Sequence, residues 1–563
     1  MKTRSTRRPP RRTIGSREAL AANCDHAGTA VAVVVADDMQ PDGARRRGFS
    51  AVQRTLCIWI GIVFCAVAWQ PFLLGFYSDD WPFSIGASHL GAPFSKARWI
   101  FALKQADPTR PGLAPLRYLF SSLCGDQALL WHGALLLGNI LVAISIFKLL
   151  IAITETRNPA ARAIAIAAAS CWLLFPWNQA ANYWPTMLPA VIALAVEGFL
   201  CAYLIDGWKK DRSRAVAAAL VYLWMCVSYE AFYLQWAALL LMAAVLLIEH
   251  QARLRTIALT AAGLLVAQGA ALWWWHYGKS AYAGRYRPVL SSPGSLVAQG
   301  ISRIGPAILT SMSEISWIVS TLAIVVVAFW TVACFRSFRI VGGERSGRRS
   351  TMLFAGASLV AAFVSVVVYT VGGRTIVATG LETRSLYVFN FWVIIAAAIL
   401  TMFAFERLSR VPKRVFAASV AMLGLCLAVG QVMRAGEWAT AARLQNHILR
   451  HAPADELKRV EPGSHIVFVN TREINGAPVL SSSDDLQQAL PWMYPYLRNL
   501  QFTVYDEWVA PLVWQNGVLA YQSYPPIYRG QNVYVWRPST GDFYKAGGPF
   551  IVDQSMNVRP LNR

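Results

Sequence analysis

Two adjacent carboxylates, Asp79 and Asp80, stand in the run Tyr77-Ser78-Asp79-Asp80-Trp81, directly after a long apolar segment of a 563-residue chain. At a membrane interface such a pair is costly, because each acid raises the other's pKa and both lose hydration. Groups tuned in that way suit general-base work or cation binding. A helix N-cap or ordinary loop acids would account for the same residues without chemistry.

Other polar constellations recur near the ends of apolar segments. The same loop continues with Thr109-Arg110-Pro111-Gly112-Leu113-Ala114-Pro115-Leu116-Arg117. A later one reads Phe175-Pro176-Trp177-Asn178-Gln179-Ala180-Ala181-Asn182-Tyr183-Trp184, and another apolar run is broken by Ser228-Tyr229-Glu230. Glu197 lies in the middle of an apolar run, a costly place for a carboxylate: protonated, paired in a bundle and part of a pathway are all open to it.

The elements that must position these residues are membrane helices. Hydrophobic residues make up 56% of the chain and charged ones 15%, which is not a soluble composition. The apolar residues fall into runs of about twenty, the length that crosses roughly 30 Å of hydrocarbon. Inside lipid such runs must satisfy their own backbone, so they are helices. Eleven spans are expected, at about 54–75, 127–152, 160–176, 186–206, 214–231, 233–249, 256–275, 313–335, 351–371, 386–405 and 415–433. The expected fold is therefore an all-α polytopic membrane bundle with a small C-terminal extracytoplasmic domain, α/β or β-rich.

Loop charge sets the orientation. With the N-terminus inside, the cytoplasmic connections hold Lys209, Lys210, Arg212 and Arg214, then Arg253 and Arg255, then Arg336 to Arg349, then Arg407, Arg410, Lys413 and Arg414, as the positive-inside rule requires. Two outer loops also carry cations: 76–126 with Lys96, Arg98, Lys104, Arg110 and Arg117, and 276–312 with Lys279, Arg285, Arg287 and Arg303. An anionic ligand at the membrane surface would explain them, and snorkelling to headgroups would explain some.

Residues 1–53 form a basic cytoplasmic tail, disordered or the product of a wrongly chosen start codon; 54–433 form the transmembrane domain, and 434–563 a periplasmic one. That last part has strand-like runs at His465–Asn470, Gln501–Tyr505 and Asn532–Trp536. No cysteine follows Cys426, so it carries no disulfide framework. The net charge of +22 is accounted for by cytoplasmic loops, and no nucleic-acid partner is expected. Trp273-Trp274-Trp275, Trp177 and Trp184 read as interfacial belts.

The acidic run after the first span, the Arg110-Pro111 element before the second, the string of further spans and the C-terminal domain together resemble the GT-C superfamily of membrane glycosyltransferases. The likeness is to bacterial members fed by polyprenyl-phosphate sugars, and it covers the architecture of nearly the whole chain beyond residue 50. A Gly-Leu-Ala insertion departs from the tighter Arg-Pro-Leu expected after Arg110.

The resemblance implies an inverting transfer of a sugar from a lipid phosphate to a glycan, lipid or protein acceptor at the outer face of a bacterial inner membrane. It implies Asp79 or Asp80 as base, with Asp79 preferred and the other positioning the acceptor or a divalent cation. A departing lipid phosphate calls for arginines, and Arg285, Arg287, Arg374 and Arg384 are the candidates. Trp81, Arg110 and Glu230 are expected to line the cavity; Glu230 reads equally well as a helix-end acid. No cofactor is certain. A polysaccharide polymerase or ligase, and a lipid or sugar transporter or flippase, are the alternatives. The early acidic loop and the absence of matching broken halves weigh against them.

Overall fold

The computed structural model describes residues 51–561, apart from 87–89, 106–109, 155–158, 372–375, 378, 408–409, 507–508 and all but isolated helical residues of 278–344. Arg285, Arg287, Arg374, the basic segment 1–50 and most of the expected span at 313–335 lie outside the described residues.

The other expected spans are helices. They are α1 (Ala51–Val67); after two amphipathic helices, α2 (Lys96–Gln105) and α3 (Leu113–Cys124), come α4 (Ala128–Thr154), α5 (Pro159–Leu174), α6 (Leu188–Lys209) and α7 (Ala215–Ser228). The rest are α8 (Gln235–Ile248), α9 (Leu254–Tyr277), α10 (Arg345–Val371), α11 (Tyr387–Arg407) and α12 (Arg410–Arg450). Among the described residues, eight helical stretches are long and apolar enough to cross a membrane, and α5 and α7 add two shorter apolar ones. The protein is a polytopic membrane protein.

Small residues let the central helices approach closely, as membrane packing demands. A Cβ on Gly138 of α4 would lie 3.2–3.3 Å from Leu188 and Val191 side chains, and Gly198 of α6 sits against Ser145 and Phe391. Polar side chains pin the helices to one another and to the loop beside them. Asn139 of α4 donates to Ala181 O at 2.8 Å and accepts from Trp172 Nε1 at 2.8 Å.

The last span does not end where the composition changes. α12 runs unbroken to Arg450, so the boundary expected at 434 falls inside a helix. Apolar side chains sustain it through the bilayer, and Trp438, Ala442 and Leu449 keep one face buried beyond. Past it, β1 (His465–Phe468) pairs in parallel with β4 (Gln501–Val504) and with β8 (Val533–Arg537), and β9 (Asp542–Lys545) closes that sheet antiparallel to β8. A second, antiparallel sheet has the order β11 (Val558–Pro560), β10 (Phe550–Val552), β5 (Leu512–Gln515), β6 (Val518–Tyr521), β7 (Tyr528–Arg529). Val467, Tyr505, Trp514, Val533 and Phe550 fill a core between strands. A small hairpin, β2 (Glu473–Ile474) with β3 (Ala477–Pro478), and the helix α13 (Ser483–Met493) complete the domain. Ser482 and Asp485 form a reciprocal capping box at the start of α13.

The domain is bolted to the bundle through backbone. Gly476, in the β2–β3 turn at φ +85°, abuts Gly380 at φ +69° in the loop before α11; a Cβ on Gly476 would lie 2.8 Å from Gly380 N. Gly476→Ala should therefore cost about 1–3 kcal/mol. The measurement is the melting temperature of the purified protein in lipid nanodiscs; an unchanged value would mean that this contact does not hold the domain.

Candidate active site

The acidic run leaves α1 through a short turn, Gln70–Leu73, and then bends sharply. Ser78 takes φ +46°, a left-handed conformation that is costly for a residue with a Cβ. Asp80 holds that bend. It is completely buried; one carboxylate oxygen accepts from Tyr77 N at 2.9 Å and the other from both Thr186 N and Thr186 Oγ1 at 2.8 Å. Burial raises its carboxyl well above the usual range, against the pull of these donors. With Tyr77 N on one oxygen and Thr186 N and Oγ1 on the other, Asp80 positions the loop. No group of three or more His, Cys, Asp or Glu side chains suited to a metal occurs among the described residues.

Asp79 differs. Its side chain is accessible to water. Enough protein surrounds it that burial still raises its carboxyl, reinforced by Asp484 and opposed by Arg384, Arg117 and Arg110. Asp79 thus sits in a recess, open to solvent on one side with protein groups around the rest. The base expected as Asp79 or Asp80 thus has its accessible oxygens on Asp79.

Three arginines from separate segments bear on that recess. Arg110 pairs with Glu230 at 2.6 Å, and its guanidinium lies 5.0 Å from the Tyr229 ring centre. Arg384, on the 3₁₀ turn Leu381–Ser385, pairs with Glu382 at 2.7 Å and lies 5.6 Å from the Trp184 ring centre. Arg117 of α3 stacks 3.9 Å over Phe83. Each cation thereby has an aromatic face to lie against. A guanidinium carries five N–H groups, so the ion pair to Glu382 does not exhaust Arg384.

The Gly-Leu-Ala insertion has a physical reason. Gly112 N donates to Val227 O at 3.0 Å, and a Cβ there would strike Ser228. The bare glycine lets the Arg110-Pro111 turn press on the end of α7, where Tyr229 is extended and Glu230 begins a 3₁₀ turn before α8. Glu230 is therefore the partner that orients Arg110.

The loop 175–187, between α5 and α6, is the clamp. Its Thr186 holds Asp80, while Ala180 N donates to Thr383 Oγ1 at 2.8 Å. Gln179 Oε1 accepts from Gly380 N at 2.8 Å and from Trp438 Nε1 at 3.2 Å, and Asn178 accepts from Asn390 at 2.7 Å. One loop thus fixes the acid, the turn carrying Arg384, and the last helix.

Several expectations change. Trp81 is 3% exposed, edge-on to Phe76 and tilted against Trp492, with its indole N–H given to Gln445. It joins the first loop to α12 and α13 and does not line the recess, because large aromatics are most strongly buried where two elements must be sealed. Trp177 and Trp184 are 9% and 2% exposed, inside the loop cluster rather than in an interfacial belt; Trp273, Trp274 and Trp275 are exposed on α9, as a belt requires. Arg98 is buried and donates to Ser121 O at 2.6 Å and Gly91 O at 3.1 Å, so it braces its own loop. Glu197 is 1% exposed within α6, apart from this cluster.

The C-terminal domain reaches the recess unannounced. Asp484 of α13 acts electrostatically on Asp79, Asp79 acts on Asp485, and burial pushes the Asp485 carboxyl up to about 7 despite hydrogen bonds from Ser482. The only sequence signal was the Ser482…Asp485 spacing of a helix start, which says nothing about what lies beside that start.

No family model and no curated protein matches the sequence. Among solved structures it is similar to ArnT from Cupriavidus metallidurans, whose crystal structure was determined bound to undecaprenyl phosphate. The identity is 14%, over 80% of this chain and 86% of that one, at a TM-score of 0.44. A likeness of that degree is one of general course and decides neither residues nor reaction.

Proposed function

We propose that this protein is a membrane glycosyltransferase that moves a sugar from a polyprenyl-phosphate donor to a hydroxyl acceptor, glycan, lipid or protein, at the outer face of the membrane. The observation that carries the reading is Asp79: a water-accessible carboxylate, raised by burial, with Arg384, Arg117 and Arg110 around it.

The acceptor oxygen attacks the anomeric carbon as Asp79 takes its proton, and the bond from that carbon to the phosphate oxygen breaks with its electron pair on the lipid phosphate. A raised pKa suits a base that must work near neutrality. The phosphate leaves as an anion and needs cationic donors rather than a general acid, which Arg384 and its neighbours supply. One displacement inverts the anomeric centre. Hydrolysis of a glycoside would instead call for two spaced carboxylates, and Asp80 is otherwise engaged.

The outer-face assignment rests on charge. Asp79 follows α1 and lies at the end of the bundle where α5 and α7 finish and α6, α8 and α11 begin. The connections rich in Lys and Arg, 209–214 and 249–255, join the opposite ends of α6 to α7 and of α8 to α9, where the positive-inside rule puts the cytoplasm. Reporter fusions at Ser350 and Arg563 should give opposite compartments, Ser350 inside and Arg563 outside. The same sign at both would overturn the helix count.

The reading as a whole is tested by mass spectrometry of envelope glycans from a deletion strain. A sugar unit should be missing, restored by the wild-type chain and not by Asp79→Asn. An unaltered glycan profile would remove the proposal.

A further inference from the structure

Five lysines and arginines stand in the loop 76–126. Three of them act on the protein itself: Arg110 and Arg117 bear on the recess, and Arg98 braces its own loop. Lys96 and Lys104 remain. Both are exposed on α2, and among the described residues neither ammonium group has an ion pair or a hydrogen bond.

The two helices they belong to are locked together. Arg98 Nη1 donates to Ser121 O at 2.6 Å, Tyr118 Oη to Phe94 O at 2.6 Å, and Phe94 N to Ser122 Oγ at 3.1 Å. The rings of Trp99 and Tyr118 meet edge to face at 5.2 Å. Away from this seam the surface is apolar. On α3, Pro115, Leu119 and Leu123 recur at every fourth position and are exposed. Arg117, stacked over Phe83, lies on the opposite side of the same helix. On α2, Lys96, Ile100, Leu103 and Lys104 share one exposed face, with the two apolar side chains set between the two lysines. Phe94 is exposed just before them.

Such a face is unfavourable in water and suited to a lipid surface, where apolar side chains enter the acyl boundary and lysines reach up to the headgroups. Its place agrees. α3 ends at Cys124 and the span α4 begins at Ala128, and Trp131 Nε1 of α4 donates to Gly125 O between them at 2.9 Å. The exposed apolar surface continues down α4 through Leu129, Leu130, Leu137 and Leu141, the face that a membrane span turns to lipid. A patch continuous with that face has the bilayer as its neighbour. We propose that the α2–α3 pair lies on the bilayer surface and that Lys96 and Lys104 bind the headgroups of anionic phospholipids. Anionic headgroups supply the charge that the two lysines lack within the protein. Because Arg117 is on the other side of α3, the same seat sets its height, and that of the recess beside it, relative to the headgroups. The inference stands whether or not the glycosyltransferase reading does.

The test places the photoreactive residue p-benzoylphenylalanine at Leu103, at Leu123 or, as a reference, at Ser539, which is exposed in the turn between β8 and β9. The full chain is irradiated in nanodiscs of mixed phosphatidylcholine and phosphatidylglycerol, and the adducts are identified by mass spectrometry. Leu103 and Leu123 should give phospholipid adducts where Ser539 gives almost none. At Leu103 the ratio of phosphatidylglycerol to phosphatidylcholine adducts should exceed the bilayer ratio about fivefold, the worth of one lysine near an anionic surface. The double variant Lys96→Gln, Lys104→Gln should return that ratio to the bilayer's while lipid adducts persist. Its melting temperature should match wild type, because both side chains are exposed. Lipid adducts at Leu103 and Leu123 no more frequent than at Ser539 would overturn the proposal. So would adducts that mirror the bilayer composition, or an enrichment that survives the double variant. Loss of the phosphatidylglycerol enrichment when undecaprenyl phosphate is added would give the two lysines to that lipid and overturn it equally.

Discussion

Asp79→Asn should lower transfer by about 10²- to 10⁴-fold, the usual worth of a positioned general base, while expression, melting temperature and donor binding stay near wild type. The substitution keeps size and polarity and deletes the ability to take a proton. Asp79 is water-accessible, and among the described residues no side-chain hydrogen bond or ion pair ties it to the loop. Asp79→Glu should also fail, because the carboxylate is displaced by a methylene from a proton it must touch. Asp80→Asn should behave in the opposite way. Its new amide would point a donor either at Tyr77 N or at Thr186 N, both of which are donors already, so stability should fall first and activity only with it. The pH profile supplies an independent check. The base works ionised, and burial raises Asp79 above the ordinary carboxylate range; kcat/KM should therefore rise with pH, with its acid limb centred above about 3.9, the unperturbed Asp value. Normal transfer by Asp79→Asn would remove this loop from the chemistry altogether.

The architecture was legible because hydrophobic run length is a physical requirement of the bilayer rather than a statistical preference. Even the weakest division, at Ser228-Tyr229-Glu230, is a real break between α7 and α8. The last expected span and the helix expected around 436–450 are one continuous helix, because a helix keeps its hydrogen bonds while its composition changes. Asp79, Asp80, Arg110, Glu230 and Arg384 were singled out from type and place, and the structure brings them close together. What sequence could not supply was the division of labour. Nothing in two adjacent aspartates tells that Thr186, more than a hundred positions away, occupies one of them. Trp81 was misread because a tryptophan beside an acid looks the same whether it faces a sugar or seals Trp492. The contribution of α13 was invisible because tertiary contact, not pattern, brings Asp484 to Asp79.

Arg384→Ala should weaken undecaprenyl phosphate binding by tenfold to a hundredfold, since removing a charge-assisted contact costs on the order of 1.5–3 kcal/mol, and should lower transfer by more. The excess follows from two roles for one guanidinium. In the bound state it meets the phosphate, and as the bond to the sugar breaks it takes up the growing negative charge. Arg384 also has the largest effect of the cations that hold the Asp79 carboxyl down. Removing it should therefore push that carboxyl higher still, and the acid limb of the pH profile should move upward. Arg384→Lys separates the roles. The ammonium keeps the charge, so the limb should stay close to wild type, but it loses the fork that matches two phosphate oxygens, so binding should remain impaired. Arg98→Ala is the control, a buried arginine of the same outer surface whose N–H groups go to Ser121 O and Gly91 O. It should cost stability, leaving the pH limb of whatever protein folds unmoved. If Arg384→Ala instead matches Arg98→Ala, losing stability with an unshifted limb and normal lipid affinity, then Arg384 is a brace for its turn and the phosphate is held elsewhere around the recess.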